Sequence, residues 1–576
     1  MKRTLPLTAL FLSSSLMLTP SVLAEEAESR ATQATSTQTV TTTETKETTE
    51  ALTPIPPAVQ KTMDRLFTLQ PELKKLNIIT SRGLEYDQSF LVDLSDRPKE
   101  EIANSKEYTD AFLRFDKKTG ESLSFSIQST AWASEKLPSR QLAQDTAERF
   151  LTEWFGTEGR KQFGKPTGYS GFASATRNED GTIVTWRERS MEFPLLLNGI
   201  PIENIGVRLN VDSFGHITNY SYTPVDLDTV KIPKPDTALP IEEIKKNMTT
   251  ADSLSLNYVQ EQPEKDGRVS EDTKTKPVLR YDLNNYGYHA QTGKKVDAKE
   301  LASVQSKPTE TKTVLHPKGQ KLVARSEEEV KQLLTKLFDI NGAAGTLRVD
   351  QPIDFPWEKE WPYSEYRFST KDEQVTAYMT TDKKTGQVYS ANLHTNEEQK
   401  KQAAKITEEQ AFTVARDFLE TYVDSSTTEL KLQQNIFEES KIPSWVDKSK
   451  LSEMIDHQND KYQFHFTKLH QGIPVEDHNY QVDIDKQTGK VVYFSLSTSS
   501  EKAELPDSQN IVTKEQALAT FINHKPLKLK YIWPWYMDQQ APAPLLIYAW
   551  DNSDGFGYVD ALTGEYIKEP IDPEDE

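Results

Sequence analysis

Apolar residues recur along this chain in two rhythms, and each rhythm occurs twice. In AQDTAERFLTEWF (143–155), Ala143, Ala147, Phe150, Leu151, Trp154 and Phe155 share one face of a 3.6-residue period, which predicts an amphipathic helix. AFTVARDFLETYV (411–423) repeats the pattern with Ala411, Ala415, Phe418, Leu419 and Tyr422. Farther on the period drops to two. Val207, Leu209 and Val211 alternate with Arg208, Asn210 and Asp212, while Val482 and Ile484 alternate with Gln481, Asp483 and Asp485. Such alternation predicts strands with one buried face. A glycine turn follows in each place, DSFGHI and then DKQTGKV, and a further strand returns over 217–222 or 491–496. Helices packed on antiparallel β-hairpins are expected, an α+β fold.

The duplication extends to the whole chain. NGIPIENIGVRLNVD (198–212) and QGIPVEDHNYQVDID (471–485) place Gly199 and Gly472 a distance of 273 residues apart (472 − 199). FDKKTG and TDKKTG end at Gly120 and Gly386, and GYHAQTG (287–293) is answered by GYVDALTG (557–564). VQKTMDRLF at Val59 is answered by VKQLLTKLF at Val330. Segments that recur in one order at near-constant spacing mark a tandem repeat. The expected organisation is a first unit over 55–300, a linker over 301–325, a second unit over 326–570 and an acidic tail at 571–576.

Two stretches precede the first unit. Residues 1–24 combine Lys2 and Arg3, a short apolar run and the small residues Val22 and Ala24, which predicts an export signal cleaved after Ala24. Residues 25–54 are dominated by Thr, Glu, Ser and Ala and cannot bury enough apolar surface to offset their ordering entropy, so a flexible spacer is expected. No later stretch approaches the ~18 apolar residues of a membrane span.

One turn chemistry recurs. Asp116-Lys-Lys-Thr-Gly120, Asp382-Lys-Lys-Thr-Gly386 and Asp485-Lys-Gln-Thr-Gly489 each offer a carboxylate to nearby amides and a glycine for the left-handed position. Gln291-Thr-Gly293 and Leu562-Thr-Gly564 are weaker versions. Lysine inside the loop disfavours a calcium reading, since calcium wants six or more oxygen ligands. Gly199 and Pro201, with Gly472 and Pro474, mark a second structural turn of the repeat.

The remaining composition narrows the chemistry. Net charge is −20, which disfavours nucleic acid and keeps an exported protein soluble. There is no cysteine, so disulfides, thiolate catalysis and cysteine-ligated metals are excluded. None of the nine histidines is followed by Glu, which excludes His-Glu-x-x-His, and neither a Gly-x-Ser-x-Gly elbow nor a phosphate-binding loop is present. His465 and His470 have the wrong spacing for helical ligands, and His470 and His478 flank a turn whose first copy has Leu197 and Ile205 instead. No catalytic residue, metal or cofactor is expected. Two aromatic clusters, FPWEKEWPYSEYRF (355–368) and YIWPWY (531–536), either seal packed interfaces or present a binding platform. Trp357, Trp361, Trp533 and Trp535 are the candidate binding residues.

GIPIENIGVRLNVDSFGHITNYSY (199–222) and GIPVEDHNYQVDIDKQTGKVVYFS (472–495) resemble the YcdB/YcdC repeated-domain family of secreted bacterial proteins, with its PepSY-like, cystatin-like modules. The same strand, turn and strand pattern is similar to the propeptides of thermolysin-type metallopeptidases, which shield the enzyme and assist its folding. This chain departs from them in carrying no peptidase sequence after the module. The resemblance implies a secreted, non-catalytic protein that binds a peptide or protein partner and inhibits, chaperones or regulates an extracellular or cell-wall peptidase. Two other readings stay open: an envelope hydrolase working through carboxylates, and a structural envelope protein.

Overall fold

The computed structural model of the chain describes residues 52–84, 88–97, 107–177, 182–227, 230–248, 253–260, 264–265, 268–269, 277–283, 287–296, 311–350, 362–395, 404–433, 442–450, 460–497, 504–536, 539–552 and 555–569. The export signal at 1–24, nearly all of the 25–54 spacer, the 571–576 tail, and Trp357 and Trp361 lie outside the described residues. Within them the fold is α+β. No described helix is long and apolar enough to cross a membrane.

The first half supplies strands β1 (Asn77–Gly83), β2 (Ser89–Ser95), β3 (Thr109–Asp116), β4 (Ser122–Ser129), β5 (Thr167–Arg177), β6 (Ile183–Leu197), β7 (Ile200–Asp212) and β8 (Ile217–Tyr222). They pair antiparallel in the order β1-β2-β3-β4-β8-β7-β6-β5. Five more strands of this half are β9 (Leu254–Gln260), the ribbon β10 (Glu264–Lys265) with β11 (Arg268–Val269), and then β12 (Pro277–Leu283) and β13 (Tyr288–His289).

The second half repeats the plan. It supplies β14 (Thr311–Val314), β15 (Gly345–Asp350), β16 (Tyr363–Thr370), β17 (Val375–Asp382), β18 (Val388–Thr395), β19 (Glu429–Gln433), β20 (Lys461–His470), β21 (Ile473–Asp485) and β22 (Val491–Ser495). Their order is β15-β16-β17-β18-β22-β21-β20-β19-β14. Its later strands are β23 (Leu527–Ile532), the ribbon β24 (Trp535–Tyr536) with β25 (Gln539–Gln540), β26 (Leu545–Trp550), β27 (Gly557–Asp560) and β28 (Tyr566–Lys568).

Helices cover one face of each sheet. Pro57 opens α1 (Pro57–Leu69), a residue suited to the first helical turn because its missing N–H is not needed there. The Ser139 hydroxyl caps α2 (Arg140–Arg160), and Ser326 caps α4 (Glu327–Phe338). Between them lies the short α3 (Ile241–Asn247). Thr407 with Gln410 forms a reciprocal capping box for α5 (Glu408–Tyr422), and Thr513 with Gln516 does so for α6 (Lys514–His524). The apolar stripe read from the sequence lies inward. Ala143, Ala147, Phe150, Leu151 and Trp154 are buried with Val207, Leu209, Val211 and Tyr220, while Phe155 is half-buried. Ala411, Ala415 and Leu419 are buried with Val482, Ile484 and Phe494.

The two halves are not closed units. β9 leaves the first half and lies parallel to β21, followed outward by β12, β27 and β28. In return β23 lies parallel to β7, followed by β26 and β13. Helix α6 of the second half therefore packs its Ala517, Leu518 and Phe521 on Leu254, Tyr258, Leu279 and Tyr281 of the first. Helix α3 of the first half packs Ile244 with Leu527 and Trp550 of the second. Each half gives away one hairpin and receives the equivalent one.

Candidate functional site

The recurring turn is a hydrogen-bonded structure in which one carboxylate oxygen takes every bond. Asp116 Oδ1 accepts from the Lys118 amide at 3.0 Å, the Thr119 amide at 2.6 Å and the Thr119 hydroxyl at 2.8 Å. Asp382 and Asp485 repeat the set with Lys384 and Thr385, and with Gln487 and Thr488. Gly120, Gly386 and Gly489 have φ of 73°, 71° and 70°, so glycine meets a left-handed demand. A Cβ at Gly120 would also stand 2.4 Å from the Ala58 carbonyl carbon, so the turn is wedged against the start of α1. The version at Leu562-Thr-Gly564 is closer to the others than its sequence suggests: Asp560 accepts from the Leu562 and Thr563 amides, with Gly564 at φ 76°.

The Thr119 amide is the leading cause that holds the Asp116 carboxyl below its ordinary value. Its contribution to stability is present above the unfolded value and fades as pH falls through the lowered one. Replacing Asp116 with Ala strands two amides and is expected to cost about 1 kcal/mol, as for loss of a helix cap. The shift of the urea midpoint at neutral pH measures it.

The Gly-Ile-Pro segments begin strands rather than ending them. Asn198 and Gly199, at φ 53° and 78°, form a two-residue turn between β6 and β7, and Gln471 and Gly472, at 51° and 80°, form its copy. Two successive positive φ values are the hairpin turn whose twist suits the flanking strands. Pro201 and Pro474 follow in the strands, opposite Leu196 and Leu469 beside a register shift that tolerates a missing N–H. No group of three or more metal-ligating side chains occurs among the described residues.

The aromatic candidates separate. Trp533 is 8% exposed, and its Nε1–H donates to the Ala541 carbonyl at 2.6 Å, so it is packed into the first core. Trp535 is half-buried in the β24–β25 ribbon. The polar faces of the strands are also less open than alternation suggests. Asp483 is buried and accepts from Lys461 Nζ at 3.0 Å and Gln481 Nε2 at 2.8 Å, so its charge is compensated.

The feature best placed to engage another molecule is β5. β6 occupies one side of it, and among the described residues no strand pairs with the other. Among the described residues the other sheet margins are shorter than β5, and β15, an edge of the second sheet, has six residues that include Arg348 and Asp350. β13, β14 and β28 have two, four and three residues. β1 is tied by the Thr53 amide to the Ser81 carbonyl at 3.0 Å and carries a register shift between Ile78 and Thr80. Just before β5, Arg160 donates to the carbonyls of Phe163 and Gly164, and Pro166 removes a donor. That blunting stops where β5 starts. The strand then runs eleven residues, with Ser170, Gly171, Phe172, Ala173, Ser174, Ala175 and Thr176 and no charge among them; Phe172 is 42% exposed. A long edge that is free of proline and uncharged up to its terminal Arg177 is a template for strand addition.

A groove of about 870 Å³ opens beside the C-terminal end of β5, lined by Tyr108, Thr130, Ser134, Ile183, Val184 and Thr185. Asp96, Glu107 and Glu135 stand on it. Arg97 lies 3.7 Å from the Tyr108 ring centre, and burial is the main cause that raises the Tyr108 phenol. The groove is acidic and suits a basic side chain. The sequence signal for this site was the run of small residues TGYSGFASAT, which has too little apolar alternation to stand out.

A search of curated proteins finds no match. Among solved structures, the Bacillus megaterium YpeB C-terminal domain aligns at 14% identity over 43% of this chain and 99% of its own, with a TM-score of 0.24. The family whose model matches is described as the YcdB, YcdC repeated domain, and the matched residues, 346–498, run from β15 to just beyond β22 in the second half.

Proposed function

We propose that this chain is an exported, non-catalytic binding protein that takes an extended peptide segment by strand addition along β5, and so restrains or chaperones an extracellular or cell-wall peptidase. The unpaired edge of β5 carries the reading. An extended segment laid there completes a row of main-chain hydrogen bonds, and alternate side chains then decide which segments fit. The acidic groove at the C-terminal end of β5 favours a segment with Lys or Arg near one terminus. The peptidase connection is supported by the likeness of 199–222 and 472–495 to propeptide modules.

The test starts from peptides selected by phage display on the immobilised full chain. Hydrogen exchange is then measured with and without the selected peptide. Amides of 167–177 are expected to slow on binding. The double variant Ser170→Lys with Phe172→Lys is expected to weaken binding about tenfold or more, about 1.4 kcal/mol, while the melting temperature holds. Protection confined to other elements, or undiminished binding by the double variant, overturns the assignment. The peptidase arm is read by adding the chain to secreted proteases and following hydrolysis of a folded substrate, where no change counts against it.

A further inference from the structure

The exchanged hairpins form two seams that repeat each other almost residue for residue. In one, Tyr531 of β23 lies opposite Ile202 and Ile532 opposite Glu203. The Tyr531 hydroxyl donates to the Pro233 carbonyl and accepts from Asn198 Nδ2 at 3.0 Å. In the other, Tyr258 of β9 lies beside Val475, and its hydroxyl donates to the Pro506 carbonyl at 2.8 Å. Tyr258 and Tyr531 are both fully buried. They are separated by the repeat distance (531 − 258 = 273), as are Pro233 and Pro506 (506 − 233 = 273).

The next strands repeat the arrangement. The Tyr548 hydroxyl donates to the Leu239 carbonyl at 2.9 Å, and the Tyr281 hydroxyl to the Val512 carbonyl at 2.8 Å. Charges close the margins: Lys530 Nζ reaches Glu203 Oε1 at 2.8 Å, and Arg280 Nη1 reaches Glu569 Oε1 at 2.8 Å. Every one of these bonds joins a residue before 301 to a residue after 325. None uses the covalent connection between them.

We propose that the two halves are obligate mutual partners, each seam being a binding surface whose occupant is the hairpin of the opposite half, so that the pair stays assembled when the peptide between them is cut. Buried tyrosines set in closed pockets and ringed by polar contacts are the features that hold permanent interfaces together. Exchange of equivalent elements also gives each half exposed apolar surface when alone, which makes separation costly. The inference is independent of β5 and of any peptidase.

The experiment uses the full chain with a protease recognition sequence placed within 301–310. After complete cleavage, native mass spectrometry and gel filtration are expected to show one particle containing one copy of each half, separating only in denaturant. Halves that elute apart without denaturant overturn the proposal. A second arm uses the absence of cysteine. Glu203→Cys with Ile532→Cys, oxidised and then cleaved, is expected to run on a non-reducing denaturing gel as two halves joined at the mass of one chain. A covalent species of two chains shows that the hairpins pass between molecules, and separate halves show no seam; either overturns the proposal.

Discussion

Replacing Tyr531 with Ala is expected to remove about 3–5 kcal/mol of stability, the range for deleting a large buried aromatic ring. The ring lies in the first core although it belongs to the second half. Its loss opens a cavity against β7 and leaves the Pro233 carbonyl and the Asn198 amide without their hydroxyl partner. Tyr531→Phe keeps the ring and removes only those bonds, so it is expected to cost about 1–2 kcal/mol. Urea unfolding followed by tryptophan fluorescence measures both. Because the seam links two halves, the Ala variant is also expected to lower the transition of the second half. A midpoint shift worth less than about 1 kcal/mol for Tyr531→Ala would show that β23 does not sit in the first core.

Acidification from pH 6.5 toward pH 4 is expected to weaken the second half through His478. This imidazole is 7% exposed, and its Nδ1 has no hydrogen-bond partner among the described residues. Burial, then the nearby charge of Lys468, lowers its pKa to about 4. The unfolded chain binds a proton near pH 6.5 that the folded chain refuses until about pH 4. Stability is therefore full at neutral pH and declines through that window. The decline attributable to His478 is about 2–3 kcal/mol, from a shift converted at 1.36 kcal/mol per unit and reduced for partial solvation. His465 and His470, both lowered mainly by burial, push the same way. The first half places Ile205 in this register, 5% exposed in its core (478 − 205 = 273). His478→Ile is accordingly expected to flatten the loss between pH 6.5 and 4 and to leave the neutral-pH structure intact. Melting curves across that range check it, and an unchanged pH slope in the variant would exclude His478 as the source.

Local order was readable from the sequence because local physics set it. The stripe at Ala143, Ala147, Phe150 and Leu151 needed only a helical period, and the Asp116 and Asp382 turns needed only a carboxylate, a threonine and a glycine at fixed spacing. Long-range pairing was not readable, and duplication is the reason. LSLNYVQ in β9 and LKLKYI in β23 share Leu, Leu and Tyr at matching places. Either strand presents the same apolar face to β7 or to β21, so pattern alone does not say which half it joins. The edge of β5 was hidden for a different reason. Its residues are small and its main chain carries the opportunity, and main-chain groups leave no mark on composition. Trp533 shows the limit from the other side: a tryptophan beside prolines looks the same in sequence whether its ring is buried or displayed.

The bond from Asn198 to Tyr531 spans 333 positions. Ribosomes deliver the chain from its N-terminus, so β7 exists long before the strand that finishes its flank. Closing so wide a loop costs only slightly more entropy than closing a shorter one, because the penalty grows with the logarithm of length. The burden falls on time instead, since topologies dominated by distant pairings fold slowly. The earlier-made half must wait, incomplete, until β23 and β26, at 527–550, have been delivered. A chaperone that shields an uncovered strand during that interval would serve this protein more than one that promotes helix formation.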